Sequence, residues 1–265
     1  MIPARTEYVR PTSPEEALEA LADPDAKALA GGQSLLPAMK LRLARPGLLV
    51  DIGRLDLAGV DTANGELRIG ALTTWDELAG SEAFRRPAFA AVAECAAGIG
   101  DLQVRNCGTI GGGFAHADPA SDMPAVALAL GARVTARSRD GEREVEADEL
   151  FVGPFATALA TEELITDVIV PVPPPGSGSA YASVEHPASG FALAGVAALV
   201  RPDGRATIAV TGIAGRPLLL GDEGELADVE VAGDRFAPAE YRRHLAEVLC
   251  RRALDSARAR AEEDA

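Results

Sequence analysis

With 265 residues, 48% of them hydrophobic, the chain is long enough for one large or two to three small domains and apolar enough to bury real cores. Its formal charge of −15 excludes a nucleic-acid backbone or an anionic membrane surface as the main partner, since both demand a basic face. No apolar run reaches the ~18–20 residues that span a bilayer, and residues 1–10 lack the apolar centre of a signal peptide, so a cytoplasmic chain without a membrane span is expected. Cys95, Cys107 and Cys250 form no Cys-x-x-Cys pair and are read as buried or inert thiols, with no metal site.

Ser13-Pro14-Glu15-Glu16 has the form of a capping box, with Ser13 as N-cap, and predicts a short helix through Ala17, Leu18, Ala20 and Leu21. Residues 27–30 read as a strand running into Ala30-Gly31-Gly32-Gln33-Ser34-Leu35, a glycine turn that opens a helix over 35–43. A strand, a glycine turn and a helix start present free N–H groups to an anion, although a Gly-Gly pair alone is more often an ordinary turn. Strands are predicted over 48–52 and 66–72, and Thr74 caps a helix over 75–79. An alanine-rich helix over 87–99 delivers the chain to Gln103-Val104-Arg105-Asn106.

Residues 106–122 hold four glycines, a Thr, a Ser and two carboxylates, ahead of an apolar helix-like run over 123–130. Such a segment is expected to build little core. Its glycines let a ligand approach backbone amides, which suits a phosphate. Neither glycine turn ends in the Gly-Lys-Ser/Thr of a P-loop or carries Gly-x-Gly-x-x-Gly, so nucleotide triphosphate hydrolysis and the usual NAD fold both lose support.

Strands over 133–138 and 142–146 flank the hairpin turn Asp140-Gly141, and a further strand is predicted over 164–170. Val172-Pro173-Pro174-Pro175-Gly176-Ser177-Gly178-Ser179 reads as a linker and a domain boundary. Beyond it, strands over 180–185, 191–200 and 206–213 form a meander. A final helix over 238–260 is expected to lie on that meander through Tyr241, Leu245, Val248, Leu249 and Arg252.

In order, Ala30-Gly31-Gly32-Gln33-Ser34-Leu35-Leu36-Pro37 with Lys40-Leu41-Arg42, then Ile69-Gly70-Ala71-Leu72-Thr73-Thr74, then Gln103 to Gly112, then Ala117 to Asp122 together resemble the FAD-binding medium subunit of molybdenum hydroxylases, the xanthine oxidase family, in the separate-subunit form of aerobic CO dehydrogenase. The resemblance implies an α+β chain: a two-part FAD-binding region of the PCMH/vanillyl-alcohol oxidase type over 1–56 and 57–172, then a C-terminal domain over 179–265 with a three-stranded antiparallel sheet and helices. It implies that Ala30, Gly31, Gly32, Gln33, Ser34 and Leu35 hold the FAD pyrophosphate from one side and Thr109, Ile110, Gly111 and Gly112 from the other. Asp122 would accept hydroxyls of the ribose-like part, Ile165 would touch adenine or flavin, and Thr74 and Tyr181 would lie near the flavin. The implied partners are a large molybdenum-cofactor subunit and a small [2Fe-2S] subunit, in a heterotrimer that dimerises. In such a complex this chain breaks no substrate bond, and FAD passes electrons from the clusters to an external acceptor.

The resemblance has gaps. Where relatives carry Tyr-x-Lys with basic residues and an Asp further on, this sequence has Tyr181-Ala182-Ser183, then Glu185-His186 and Gly190; Gly113 replaces a common Asn, Asp or Ser; and residues 217–238 lack a helix that relatives have. A flavin-free interaction subunit of the same complex is therefore the second reading. A free-standing vanillyl-alcohol-type oxidase is disfavoured by the small C-terminal domain. His116 is expected to be structural, ahead of a proton-transfer or flavin-contact role; the pairs Arg242-Arg243 and Arg251-Arg252 to lie on a solvated helix face, with a subunit interface as the alternative; and Gln103 and Arg105 to hold backbone or face the cluster-bearing subunit.

Overall fold

The structure, a computed structural model, describes residues 2–221 and 225–263. It begins with β1 (Glu7–Val9), α1 (Pro14–Leu21), β2 (Ala26–Leu29), α2 (Leu35–Lys40) and β3 (Leu48–Asp51), whose strands form a parallel sheet in the order β1-β3-β2. The expected cap is present: Ser13 Oγ accepts from the Glu16 amide at 3.2 Å, while Glu16 reaches one residue further back than a capping box requires, to the Thr12 amide at 2.7 Å. α2 stops short of the helix expected over 35–43 because the chain turns at Arg42, which adopts φ 61°.

The second region comprises β4 (Val60–Ala63), β5 (Glu66–Gly70), α3 (Trp75–Gly80), α4 (Ala90–Gly98), α5 (Leu102–Arg105), α6 (Ile110–His116), α7 (Met123–Leu130), β6 (Arg133–Ser138), β7 (Gly141–Glu146), α8 (Ala147–Leu150), β8 (Phe151–Gly153), β9 (Ala156–Thr157) and β10 (Leu164–Pro171). Its main sheet runs β4-β5-β10-β6-β7, antiparallel at each contact. One face carries ion pairs such as Arg68–Asp167 and Arg133 with Glu66 and Glu144. The other side is a core holding Leu67, Ile69, Val134 and Val168 together with α4, α6 and α7. Every residue of α7 is buried, as its all-apolar sequence requires.

The third region is the meander β11 (Gly178–Glu185), β12 (Ala192–Val200), β13 (Ala206–Thr211), extended by a short β14 (Leu218–Leu220), and closed by α9 (Ala239–Glu263). The segment over 172–179 is not a free tether. Pro173, Ser177 and Ser179 are buried, and the Val172 amide donates to Gly65 O at 2.9 Å. The meander also has no solvent face. Ala197, Leu199 and Ala209 join the core beneath α7, while Ala194, Val196, Ala198, Ile208 and Val210 pack on α9. Among the described residues of 217–238 no helix occurs, in line with the shortened segment.

The face of α9 differs from expectation. It buries Arg242, Ala246, Leu249, Cys250, Ala253, Leu254, Ala257 and Ala261, while Tyr241 and Arg252 are exposed. Small residues let the helix lie close on the sheet: a Cβ on Gly178 would stand 2.5 Å from Ala261 N. Arg242 is no solvated charge either. It is 7% exposed and donates to Leu193 O at 2.8 Å, to Gly212 O at 2.5 Å and to Asp234 at 2.6 Å, tying the helix start to the meander. Arg243 donates to Val229 O at 2.7 Å. Arg251 and Arg252 are exposed as expected. No described helix is long and apolar enough to cross a membrane.

Candidate functional site

The first glycine turn leaves the carboxyl end of β2, the edge of a parallel sheet where strands direct the chain toward ligands. Gly32 needs its glycine for φ 72°, and Gly31 needs it for space: a Cβ there would meet the Cys107 carbonyl, 2.7 Å from its carbon, and Gly108 Cα at 2.9 Å. Gln33 Nε2 donates back to Gly31 O at 3.3 Å, and Ser34 Oγ makes no capping bond. Among the described residues no acceptor takes the amides of Gly31, Gly32, Gln33 or Ser34. Four neighbouring N–H groups and a hydroxyl without internal partners form a surface suited to a phosphate.

The second turn behaves otherwise. Thr109 is the N-cap of α6, accepting from Gly112 N at 3.2 Å, and pairs with Thr74 in a bridge flanked by Trp75 N to Gly108 O and Ile110 N to Thr73 O, each 3.0 Å. Gly111 N donates to Ala71 O at 2.9 Å. The amides of Ile110, Gly111 and Gly112 are thus spent inside the protein, and among the described residues no acceptor takes the amide of Thr109. The expectation that residues 106–122 build little core is corrected as well: Ile110, Gly111 and Phe114 are buried. The glycines serve contact. A Cβ on Gly108 would stand 2.7 Å from Trp75 Nε1, one on Gly111 2.5 Å from Ala71 Cβ, and one on Gly113 2.8 Å from Trp75 Cζ2. The two turns meet, since a Cβ on Gly112 would lie 3.6 Å from Ala30 Cβ.

Thr74 forms a full capping box, donating to Glu77 Oε2 at 2.8 Å and accepting from Glu77 N at 3.3 Å, so its hydroxyl is committed to α3. Asp122 is 8% exposed and accepts a hydrogen bond from the Tyr181 hydroxyl. Burial lifts its pKa to about 6, the phenol opposes that rise, and the negative Glu185 and Asp118 add to it. Ile165 is 3% exposed within the core under α7, so its side chain is enclosed by protein, and Leu35 is half-buried beside the first turn.

His116 packs against Phe155 with ring centroids 5.2 Å apart, a structural placement. Arg105 holds backbone, donating to Gly100 O at 2.9 Å, and Gln103 is exposed. Cys95 and Cys250 are buried, as expected, whereas Cys107 is exposed and lies at the seam of the two turns. The described residues hold no group of His, Cys, Asp and Glu arranged for a metal ion. Trp75, the single tryptophan, underlies the second turn and escaped notice in the sequence; its place directly after the Thr73-Thr74 motif was the available signal.

Residues 4–173 match the family described as the FAD binding domain in molybdopterin dehydrogenase. The chain belongs to this family. It is 37% identical to the carbon monoxide dehydrogenase medium chain of Afipia carboxidovorans over 98% of this chain and 99% of that one. Against the nicotine 6-hydroxylase medium subunit of Paenarthrobacter nicotinovorans it is also 37% identical, over 96% and 97%. The solved structure of the Cu,Mo-CO dehydrogenase in its cyanide-inactivated form contains a chain with a TM-score of 0.93 at 36% identity, covering 98% of this chain and 100% of that one. The family match takes in both glycine turns and ends before the third region, into which the alignments with these relatives extend.

Proposed function

We infer that this chain is the FAD-binding, electron-transfer subunit of a heteromeric molybdenum hydroxylase or dehydrogenase, an oxidoreductase component that takes electrons from [2Fe-2S] clusters in a partner and passes them to an external acceptor. The observation that carries the reading is the row of unpartnered amides at residues 31–34, which fits a diphosphate and favours flavin retention over a flavin-free subunit. In a chain of charge −15, long-range attraction works against an anion, so fixed local dipoles must supply the binding. Bound FAD supplies the redox chemistry.

The residues divide that task. The amides of Gly31 to Ser34 and the hydroxyls of Ser34 and Thr109 take the pyrophosphate oxygens, Leu35 packs beside them, and Ala30, Ile110, Gly111 and Gly112 set how closely the two turns approach. Asp122 accepts ribose-type hydroxyls. Thr74 shapes the seam near the flavin. Ile165 lies behind the cofactor rather than against it. We place the subunit with a large molybdenum-cofactor subunit and a small [2Fe-2S] subunit in a cytoplasmic dimer of heterotrimers, on the strength of its likeness to medium chains of CO dehydrogenase. The test is co-expression with candidate partners followed by spectroscopy and metal analysis. Flavin released on denaturing the complex, with iron and molybdenum in the same peak, is expected; a metal-loaded complex that releases no flavin overturns the cofactor assignment.

A further inference from the structure

Tyr181 is held from several elements at once. Its amide donates to Glu94 Oε2 of α4 at 3.0 Å, and Glu94 is paired with Arg260 of α9, which also donates to Ser179 O at 2.6 Å. Its side chain passes Gly195 of β12, where a Cβ would stand 3.0 Å from the phenol Cζ and closer still to its oxygen. Only glycine leaves that path open. The hydroxyl ends on Oδ1 of Asp122, the N-cap of α7.

Asp122 is a poor choice for stability alone. Among the described residues no cation is paired with it and no other side chain donates to it; its own amide is the further donor in reach. The other groups acting on it or bordering it are Asp118 ahead of α7, Glu185 at the end of β11, the buried Cys95 thiol and the Glu94–Arg260 pair. A buried carboxylate with spare acceptor capacity costs free energy unless something uses it. Hydroxyl donors use it without adding charge.

We propose that Tyr181 is a positioning residue for FAD, its phenol fixing the Asp122 carboxylate so that the remaining acceptor capacity meets the hydroxyls of the cofactor's ribose-type chain. The proposal rests on the assignment of Asp122 to FAD made above and removes the Tyr181 hydroxyl from the set of direct contacts. It also makes cofactor retention depend on the C-terminal meander, because β11 and β12 carry Tyr181 and Gly195. The ionised carboxylate accepts hydroxyls best, and burial opposes that form while the phenol supports it.

The test is Tyr181→Phe in the full chain, with FAD titrated by flavin fluorescence from about pH 5 to pH 8. Wild type is expected to lose affinity as pH falls through about 6. In the variant the loss moves to higher pH, giving about ten-fold weaker binding near neutrality. Gly195→Ala keeps the phenol but displaces it, and the midpoint moves in the same direction. A midpoint equal to wild type overturns the proposal, whether affinity is unchanged or uniformly weaker, the latter indicating a direct contact or general damage. A wild-type chain that binds no FAD at any pH overturns the cofactor assignment as well, so the two failures are distinguishable.

Discussion

The two glycine turns read alike in sequence and do opposite work in the fold. Among the described residues nothing accepts from the amides of residues 31–34, while the amides of Ile110, Gly111 and Gly112 bond to Thr73, Ala71 and Thr109. The first turn uses glycine to bend and to come within contact of the second; the second uses it to pack against Trp75 and Ala71. A glycine run therefore states that a backbone comes close to something, without stating whether that is a ligand or another part of the chain. Changes in the first turn should read out in FAD affinity, and changes in the second in stability.

Gly31→Ala tests both at once and has the largest expected effect. Its methyl would enter the Cys107 carbonyl, and both partners are backbone, so the turns must separate. Overpacking of this kind is expected to cost about 3 kcal/mol, with flavin lost from the purified chain and a lower melting temperature. If affinity falls without any change in melting temperature, the two turns do not support each other as the geometry indicates.

Asp122 lies between the two behaviours, since it has an internal partner and is assigned to the ligand. Its folded pKa of about 6 lies above the ordinary 3.8, so the cofactor-free protein holds this proton to higher pH than the unfolded chain does. That contribution favours folding at low pH and is lost as pH rises from about 4 to about 6. The size is on the order of 3 kcal/mol, from ~1.4 kcal/mol per pKa unit. Asp122→Asn should flatten this part of the stability profile in chemical denaturation at several pH values, and an unchanged slope would remove Asp122 as its source.

Much of the fold was legible because local and global signals agreed. The Ser13 cap, the Asp140-Gly141 hairpin and the all-apolar α7 each combine a propensity with a matching burial pattern. α6 was hidden because three of its seven residues are glycine, the poorest helix former after proline, and tertiary contact with Trp75 and Ala71 overrides that preference. α9 lies where expected and Leu249 is buried, but its contact face runs through Ala246, Ala253, Ala257 and Ala261, which permit close approach to the meander, and leaves Tyr241 and Arg252 exposed. The motif order pointed to both turns of the candidate site. Which amides remained free depended on partners at Ala71 and Thr73, and the bond from Tyr181 to Asp122 joins residues 59 positions apart.

Gly111→Ala isolates the packing role of the second turn. The added methyl would meet Ala71 Cβ at 2.5 Å, and a cost of about 2 kcal/mol is expected from overpacking. The melting temperature should fall while the folded fraction keeps nearly wild-type FAD affinity. A selective loss of affinity at unchanged stability would return Gly111 to the ligand surface and break the contrast between the turns.

Ser34→Ala is the reciprocal test and the smallest change. Ser34 is exposed and its hydroxyl makes no capping bond, so its removal leaves no internal group unpaired and stability should hold. A lost hydrogen bond to a charged phosphate should weaken FAD about ten-fold, visible in a fluorescence titration. Thr109→Val provides the contrast: it removes a hydroxyl proposed above to meet the ligand and also the acceptor of Gly112 N, so affinity and melting temperature should fall together. If both variants lowered stability alone, the first turn would be as internal as the second, and the unpartnered amides beside Ser34 would have to be satisfied by water rather than by the pyrophosphate.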